Sequence, residues 1–309
     1  MQYNIGVPAS KTRPDKGFAA AVSARFPGLL EKIQRVVEDS ERRFAGNAPE
    51  SDGSFLWEHT LRVASLAHHL ARSEKQDASL AALVALFHDA GKFAGGRYHD
   101  GDRPEEAEAA RLADEILRKG RTKAAERKAV VAALEALYNE TAAPDALADI
   151  VHDADFLSKF GLVGVAQFFV KSTLRGRTMR TAVADSLSKE LTFAACLPLN
   201  LRTPAGRLLA VGKARDTLAF YEAFLVEFRE AHGPAFHVQS TRLPHPRRPG
   251  LEIEVRLVLS ETCETCGGAW RTTFATSTGA KCERLEARIR CLGCGAEREL
   301  AFCLPELAG

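Results

Sequence analysis

The sequence predicts a mainly α protein: a helical bundle followed by a small C-terminal antiparallel β module. Three observations carry this. Apolar residues recur at helical spacing from residue 27 to about residue 231, and nothing there alternates with a strand period. Beyond Gly233 comes a proline-rich stretch and then a strictly alternating run at 251–259. Two Cys-x-x-Cys pairs then bracket further strand-like sequence.

Composition bounds the rest. A chain of 309 residues holds one large domain or two smaller ones. A hydrophobic fraction of 46% and a charged fraction of 27% exclude disorder as the dominant state. Lys+Arg 42 against Asp+Glu 40 gives a net charge of +2, which excludes coating nucleic acid by bulk charge. No run approaches the ~18 apolar residues of a membrane span, so no membrane partner is expected. Met1 to Pro14 lacks the apolar core of a signal peptide, which points to the cytoplasm. Thiols stay reduced there, so seven cysteines suggest metal binding rather than disulfides.

The elements follow in order. Residues 1–25 read as a polar N-terminal extension and 26–233 as the helical domain. A first helix spans 27–44, with Leu29, Leu30, Ile33, Val36 and Val37 at helical spacing and Pro27 in its first turn. A polar loop, 46–54, precedes a helix over 55–71, for which Ser54 or Asp52 is the candidate cap. The next helix, 77–90, has Asp77 as cap and Gly91 as stop. A helix over 104–118 is acidic at its start and basic at its end, as the helix dipole favours. Helices at 122–138 and 146–160 continue the series. Residues 234–250, with Pro234, Pro244, Pro246 and Pro249, read as a linker. In the module 234–309, Leu251, Ile253, Val255, Leu257 and Leu259 share one face of a strand, and shorter strands fit 269–277, 283–290 and 298–304.

Chemistry concentrates in three segments: His59, the His88-Asp89-Ala-Gly-Lys92 run, and His152-Asp153-Ala-Asp155. His59 shares the buried stripe of its helix with Val63, Leu66 and Leu70. His88 lies on the side of Val84 and Ala81, and Asp89 sits about 100° round the helix. Two neighbours reach one ion only near a helix end, and Gly91 supplies that end. Asp155 follows Val151 at helical spacing and can face inward too. Two imidazoles and two carboxylates form a mixed N/O set suited to Mn, Fe, Co, Ni or Mg, with positions open for water and substrate. His68, His69 and His99 read as ordinary residues.

In this order His59, His88, Asp89 and Asp155 resemble the HD superfamily of metal-dependent phosphohydrolases. Ala154-Asp155-Phe156-Leu157 matches the family's Ala-Asp-x-Leu element and makes Asp153 a neighbour rather than a ligand. The resemblance spans about 50–230, with its motif core at 50–175. Thr203 to Ala210 and Arg215 look loosely like the later helices of stand-alone bacterial members. It implies an HD helical bundle and a metal-dependent phosphohydrolase acting on a nucleotide or other small phosphorylated substrate. Dinuclear members carry further histidines where this chain has Pro104-Glu105-Glu106 and Tyr138-Asn139, which implies one ion. A proton from bound water could pass to Asp89, Glu105 or Glu106. Lys92 could offset phosphate charge. Dipole-favoured roles at helix ends account for Lys92, Glu105 and Glu106 equally well.

Residues 171–215 carry nine basic side chains against Asp185 and Glu190. Arg175, Arg177, Arg180, Arg207 and Arg215 are candidate substrate contacts. An anionic partner (nucleotide, phosphorylated metabolite or nucleic-acid backbone) and a set of unrelated helix surfaces both fit this stretch.

Cys263 and Cys266 pair with Cys291 and Cys294 across 24 intervening residues. Four thiolates on two turns predict a structural zinc ribbon over 263–296, with Gly267 and Gly295 permitting the tight turns. Such a site is coordinatively closed and staples a β module too small to hold a sufficient core. Cys282 and Cys303 read as packed thiols. Two rival functions remain at this level. One is an HD-type nuclease or phosphodiesterase acting on nucleic acid. The other is a non-catalytic regulatory scaffold binding a protein partner through the ribbon.

Overall fold

In the computed structural model, among the described residues, ten helices precede five strands. It describes residues 17–44, 54–93, 105–139, 141–232, 236–245, 249–279 and 283–303. The helices are α1 Phe18–Arg25, α2 Leu29–Phe44, α3 Phe55–Ser73, α4 Ala78–Phe87, α5 Glu105–Lys119, α6 Ala124–Ala136, α7 Ala146–Ser158, α8 Gly161–Leu174, α9 Met179–Asn200 and α10 Pro204–His232. The strands are β1 Phe236–Pro244, β2 Glu252–Ser260, β3 Trp270–Gly279, β4 Glu283–Cys291 and β5 Glu297–Cys303.

Helix α4 is the centre of the bundle. Its residues Leu80 to Phe87 are all buried, which suits a helix apolar on every side. Asp77 caps it, accepting from Leu80 N at 3.0 Å, and also pairs with Arg25 of α1 at 2.7 Å. The start of α3 is capped differently from expectation. Ser54 makes no side-chain cap bond, and Glu41 of α2 accepts from Leu56 N at 2.9 Å instead; Asp52 lies outside the described residues. That partner is fifteen residues away, so a local motif could not reveal it.

Three boundaries differ from the sequence reading. Helix α1 lies inside the 1–25 stretch read as an extension, and its Val22 is fully buried in the main core. Strand β1 occupies much of the 234–250 stretch read as a linker, and pairs antiparallel with β2 from Phe236↔Ser260 to Pro244↔Glu252. The β module is also not separate from the helices. Ile253, Val255, Leu257 and Leu259 face inward as the alternation requires, and share a core with Cys196 and Phe193 of α9.

The second edge of β2 is covered by α9. Ser188 Oγ accepts from Val258 N at 2.8 Å, Thr192 Oγ1 accepts from Arg256 N at 3.0 Å, and Cys196 Sγ donates to Glu254 O at 3.5 Å. Four helical residues advance about 6 Å and two strand residues about 6.8 Å, so the two repeats stay in step. Polar side chains thus satisfy backbone groups that an open edge would expose. The remaining strands form a separate antiparallel sheet, β3-β4-β5.

Candidate metal centre

The centre is built where α3, α7 and the end of α4 meet. Helix α4 stops at Phe87, and His88 and Asp89 lie in the turn that follows, so adjacent residues can point to one place. Gly91 in this turn lies against α5. A Cβ there would lie 2.4 Å from Glu105 O and 2.8 Å from Ala109 N, so only glycine lets α5 pack against this turn.

Both histidines present Nε2 inward. His88 Nδ1 lies 2.6 Å from Ala85 O. A carbonyl only accepts, so Nδ1 carries the proton and a neutral ring keeps its lone pair on Nε2. Ser158 Oγ donates to Asp155 O at 2.7 Å and lies 3.4 Å from His59 Nδ1, which leaves the hydroxyl to accept from that nitrogen. His59 Nε2 is then 3.5 Å from Asp89 Oδ2 and 3.2 Å from Asp155 Oδ1. His88 Nε2 is 3.5 Å from Asp89 Oδ2 and 4.0 Å from Asp155 Oδ1. In an octahedron with bonds of about 2.1 Å, neighbouring ligands stand about 3 Å apart and opposite ones about 4.2 Å. His59, His88 and Asp89 bring ligand atoms that all lie within 4.8 Å of one another, and Asp155 Oδ1 stands beside both histidines as a further donor. His88 Nε2 and Asp155 Oδ1 are buried without a hydrogen-bond partner, as ligand atoms awaiting a cation would be.

Electrostatics keep the ligands in their binding forms. Burial lowers the pKa of His59 against the pull of Asp155 and Asp89, favouring the neutral ring. Burial alone would raise Asp155, but Lys159, His59 and His88 hold it well below the usual carboxylate range. Burial likewise opposes ionisation of Asp89, and His88, Lys92 and His59 overcome it. Tyr138, buried and facing Asp155, Asp89 and Glu106, is pushed well above its ordinary value and stays a proton donor.

Lys92 Nζ sits 2.8 Å from Asp89 Oδ2. Glu105 and Glu106 open α5, packed beside the turn through Gly91. Asp153 takes a structural part: fully buried, it accepts from Arg202 N, Thr203 N and Thr203 Oγ1 at 2.7–2.9 Å and anchors the start of α10.

Two contributors escaped the sequence reading. Tyr138 Oη donates to Asp155 Oδ2 at 2.6 Å, and Lys159 Nζ donates to the same oxygen at 2.7 Å. The i,i+4 spacing of Asp155 and Lys159 was the available signal for the second. Of the five candidate arginines, Arg175 adds its charge to those of Lys159 and Lys92 at Lys171. Although Lys171 is exposed as a residue, the atoms crowded round its ammonium and the charges of Arg175, Lys159 and Lys92 push it down to about 8. The other four are engaged locally. Arg177 donates to Ser186, Arg180 lies 5.8 Å over the Phe236 ring, Arg207 donates to Leu201 O and Arg202 O, and Arg215 pairs with Asp216. His68 is buried and His69 exposed; His99 lies outside the described residues.

The four cysteines of the ribbon also meet. Cys263 and Cys294 sulfurs are 3.8 Å apart, and those of Cys266 and Cys291 are 3.4 Å apart. The edge of a tetrahedron with bonds of about 2.3 Å is about 3.8 Å. Gly267 and Gly295 have φ of 72° and 76°, the left-handed turns expected after each pair. The N–H of Cys294 pulls the Cys291 thiol down to about 6 against burial. Cys294, despite the Ala296 N–H, is pushed up to about 11 by the facing thiols. A shared cation would relieve that crowding. Cys282 and the side chain of Cys303 lie outside the described residues.

Residues 56–159 match the family model for the HD domain. His59, His88, Asp89 and Asp155 all lie within the matched stretch. Among solved structures, similarity extends to a predicted HD superfamily hydrolase from an uncultured Thermotogales bacterium (21% identity, 64% of this chain and 92% of that one, TM-score 0.46). It also extends to an HD-superfamily hydrolase from Bacillus thuringiensis (21% identity, 65% and 98%, TM-score 0.46). A third is Bacillus subtilis YpgQ in complex with ADP (19% identity, 66% and 97%, TM-score 0.46). No curated protein matches the chain. No helix among the described residues is long and apolar enough to cross a membrane.

Proposed function

We propose that the protein is a metal-dependent hydrolase of phosphoesters, acting on a nucleotide or another small phosphorylated molecule. One observation carries this reading: each of two histidine Nε2 atoms lies 3.2–4.0 Å from an oxygen of both Asp89 and Asp155, and Lys92 and Lys159 pair with those carboxylates. His59, His88, Asp89 and Asp155 would hold a divalent cation of the Mn, Fe, Co, Ni or Mg kind. When bound, it supplies a Lewis acid for a phosphoryl oxygen and lowers the pKa of water.

The chain's own residues do the rest. The Ala85 carbonyl and Ser158 hydroxyl hold the two rings with Nε2 inward. Lys92, Lys159, Lys171 and Arg175 offset phosphate charge. Asp89 is a weak proton acceptor because His88, Lys92 and His59 hold its pKa low against burial. Glu105 and Glu106, on the helix packed against the same turn, are the better acceptors. The four cysteines hold a structural zinc with no open position, consistent with reduced thiols in a cytoplasmic protein.

The test uses the full chain, Mn²⁺ and a panel of nucleotides and other phosphoesters. Wild type is expected to release phosphate or a phosphorylated product from at least one of them. His88→Ala and Asp155→Ala are expected to lose at least about 100-fold in rate, together with Mn²⁺ binding. Full activity in either variant removes the site assignment. Cys266→Ser is expected to lose stoichiometric zinc.

A further inference from the structure

Helix α10 is 29 residues long and turns one narrow face outward. At about 100° per residue, Leu208, Val211, Arg215, Ala219, Glu222 and Val226 fall within an arc of about 80°. All six are exposed. Leu208, Val211 and Val226 are 78%, 60% and 58% exposed, a heavy apolar load for the outside of one helix. Beside the C-terminal half of this face, between α10 and β1, lies an open groove of about 260 Å³ lined by Leu225, Val226, Phe236 and Val238.

The face is self-complementary about its middle. A second copy of α10, turned end for end about an axis beside Ala219, sets Val211 level with Val226 of the partner subunit. Arg215 comes level with the partner subunit's Glu222, and Leu208 with the partner's Arg229. Two-fold symmetry makes each of these pairs occur twice. Two aliphatic side chains of each copy thus arrive at the height of the other copy's apolar groove. Ala219, small, stands at the axis and lets the helices approach closely. A parallel pairing would instead set Arg215 beside Arg215 and Glu222 beside Glu222, where like charges repel. Within one chain Arg215 pairs with Asp216, and Glu222 lies 3.3 Å from Arg256. Both side chains stay largely exposed, so each keeps an outward side for a second partner.

We propose that the outward face of α10 is the interface of a two-fold homodimer, in which two copies of this chain meet antiparallel with Arg215 of each beside Glu222 of the other. The valines and Leu208 supply the apolar contact, and the two Arg–Glu pairs fix direction and register. None of these residues belongs to the metal centre, so the inference stands apart from the reading of that centre.

The test is sedimentation velocity of the zinc-loaded full chain at micromolar concentrations. Wild type is expected to sediment as a dimer. Val211→Glu, which carries a charge into the apolar contact, is expected to sediment as a monomer. Arg215→Glu and Glu222→Arg each set like charges opposite one another, and each is expected to weaken the dimer at least about 10-fold. Mixing these two charge variants, or combining both substitutions in one chain, puts opposite charges back in register and is expected to restore the dimer. The altered side chains are all exposed, and circular dichroism is expected to match wild type in every variant. A monomeric wild type overturns the proposal. A dimer that Val211→Glu and Arg215→Glu leave as tight as wild type also overturns it, because its interface then lies elsewhere. A mixture of the two charge variants that stays monomeric overturns the antiparallel register.

Discussion

Asp153 and Asp155 lie two residues apart on α7, and both are buried. Asp155 leaves Oδ1 open toward two histidines, whereas Asp153 spends both oxygens on the loop that starts α10. Asp153→Ala is therefore expected to lower stability by about 3 kcal/mol, because it strands buried N–H donors, while leaving Mn²⁺ binding stoichiometric. Thermal unfolding with and without Mn²⁺ reads both effects. The pKa of Lys171 is lowered to about 8, so its charge is present below that pH and lost as pH rises through it. Pyrophosphate affinity of the Mn²⁺-loaded protein should fall above pH 8, and Lys171→Arg should flatten that fall. A slope unchanged by the substitution would place Lys171 outside the site. At this scale His59, His88, Asp89 and Asp155 were legible because residue type, spacing and helix face agree. Tyr138 was not, because its partner is seventeen residues away on another helix. The arginines of 171–215 show the reverse: charge density in sequence does not say where helix rotation sends each side chain.

At the scale of elements, the contact of α9 with β2 makes the two halves one structure. Ser188, Thr192 and Cys196 meet alternate backbone groups of β2. Thr192→Val is nearly isosteric but strands the Arg256 N–H, and is expected to lower stability by about 1–3 kcal/mol. A denaturant midpoint equal to wild type would show that this edge does not need its polar cover. The helices were legible because a 3.6-residue period persists over ten or more positions in most of them. Helix α1, with eight residues in a polar stretch, offers too short a period. Strand β1 was hidden by the prolines around it and by its weak burial contrast, which from Gln239 on alternates only between half-buried and exposed. Only its pairing with β2 fixes it as a strand.

The whole molecule joins an HD bundle to a cysteine-clamped sheet. The ribbon sulfurs belong to β3-β4-β5 and the turns beside it, which share a core with the inner face of β2, and β1-β2 is held in addition by α9 and α10. Zinc chelation is therefore expected to loosen the three-stranded sheet first and to leave most of the helical signal in circular dichroism. Loss of the helices in the same step would show that the ribbon supports the bundle. The central claim is that the four-ligand centre is a hydrolytic metal site. Its most direct measurement compares Mn²⁺-dependent hydrolysis of one phosphoester by wild type and by folded Asp155→Ala. Turnover is expected in wild type, with at least about a 100-fold loss in the variant. Equal rates in the two proteins, with Mn²⁺ bound equally by both, would contradict it.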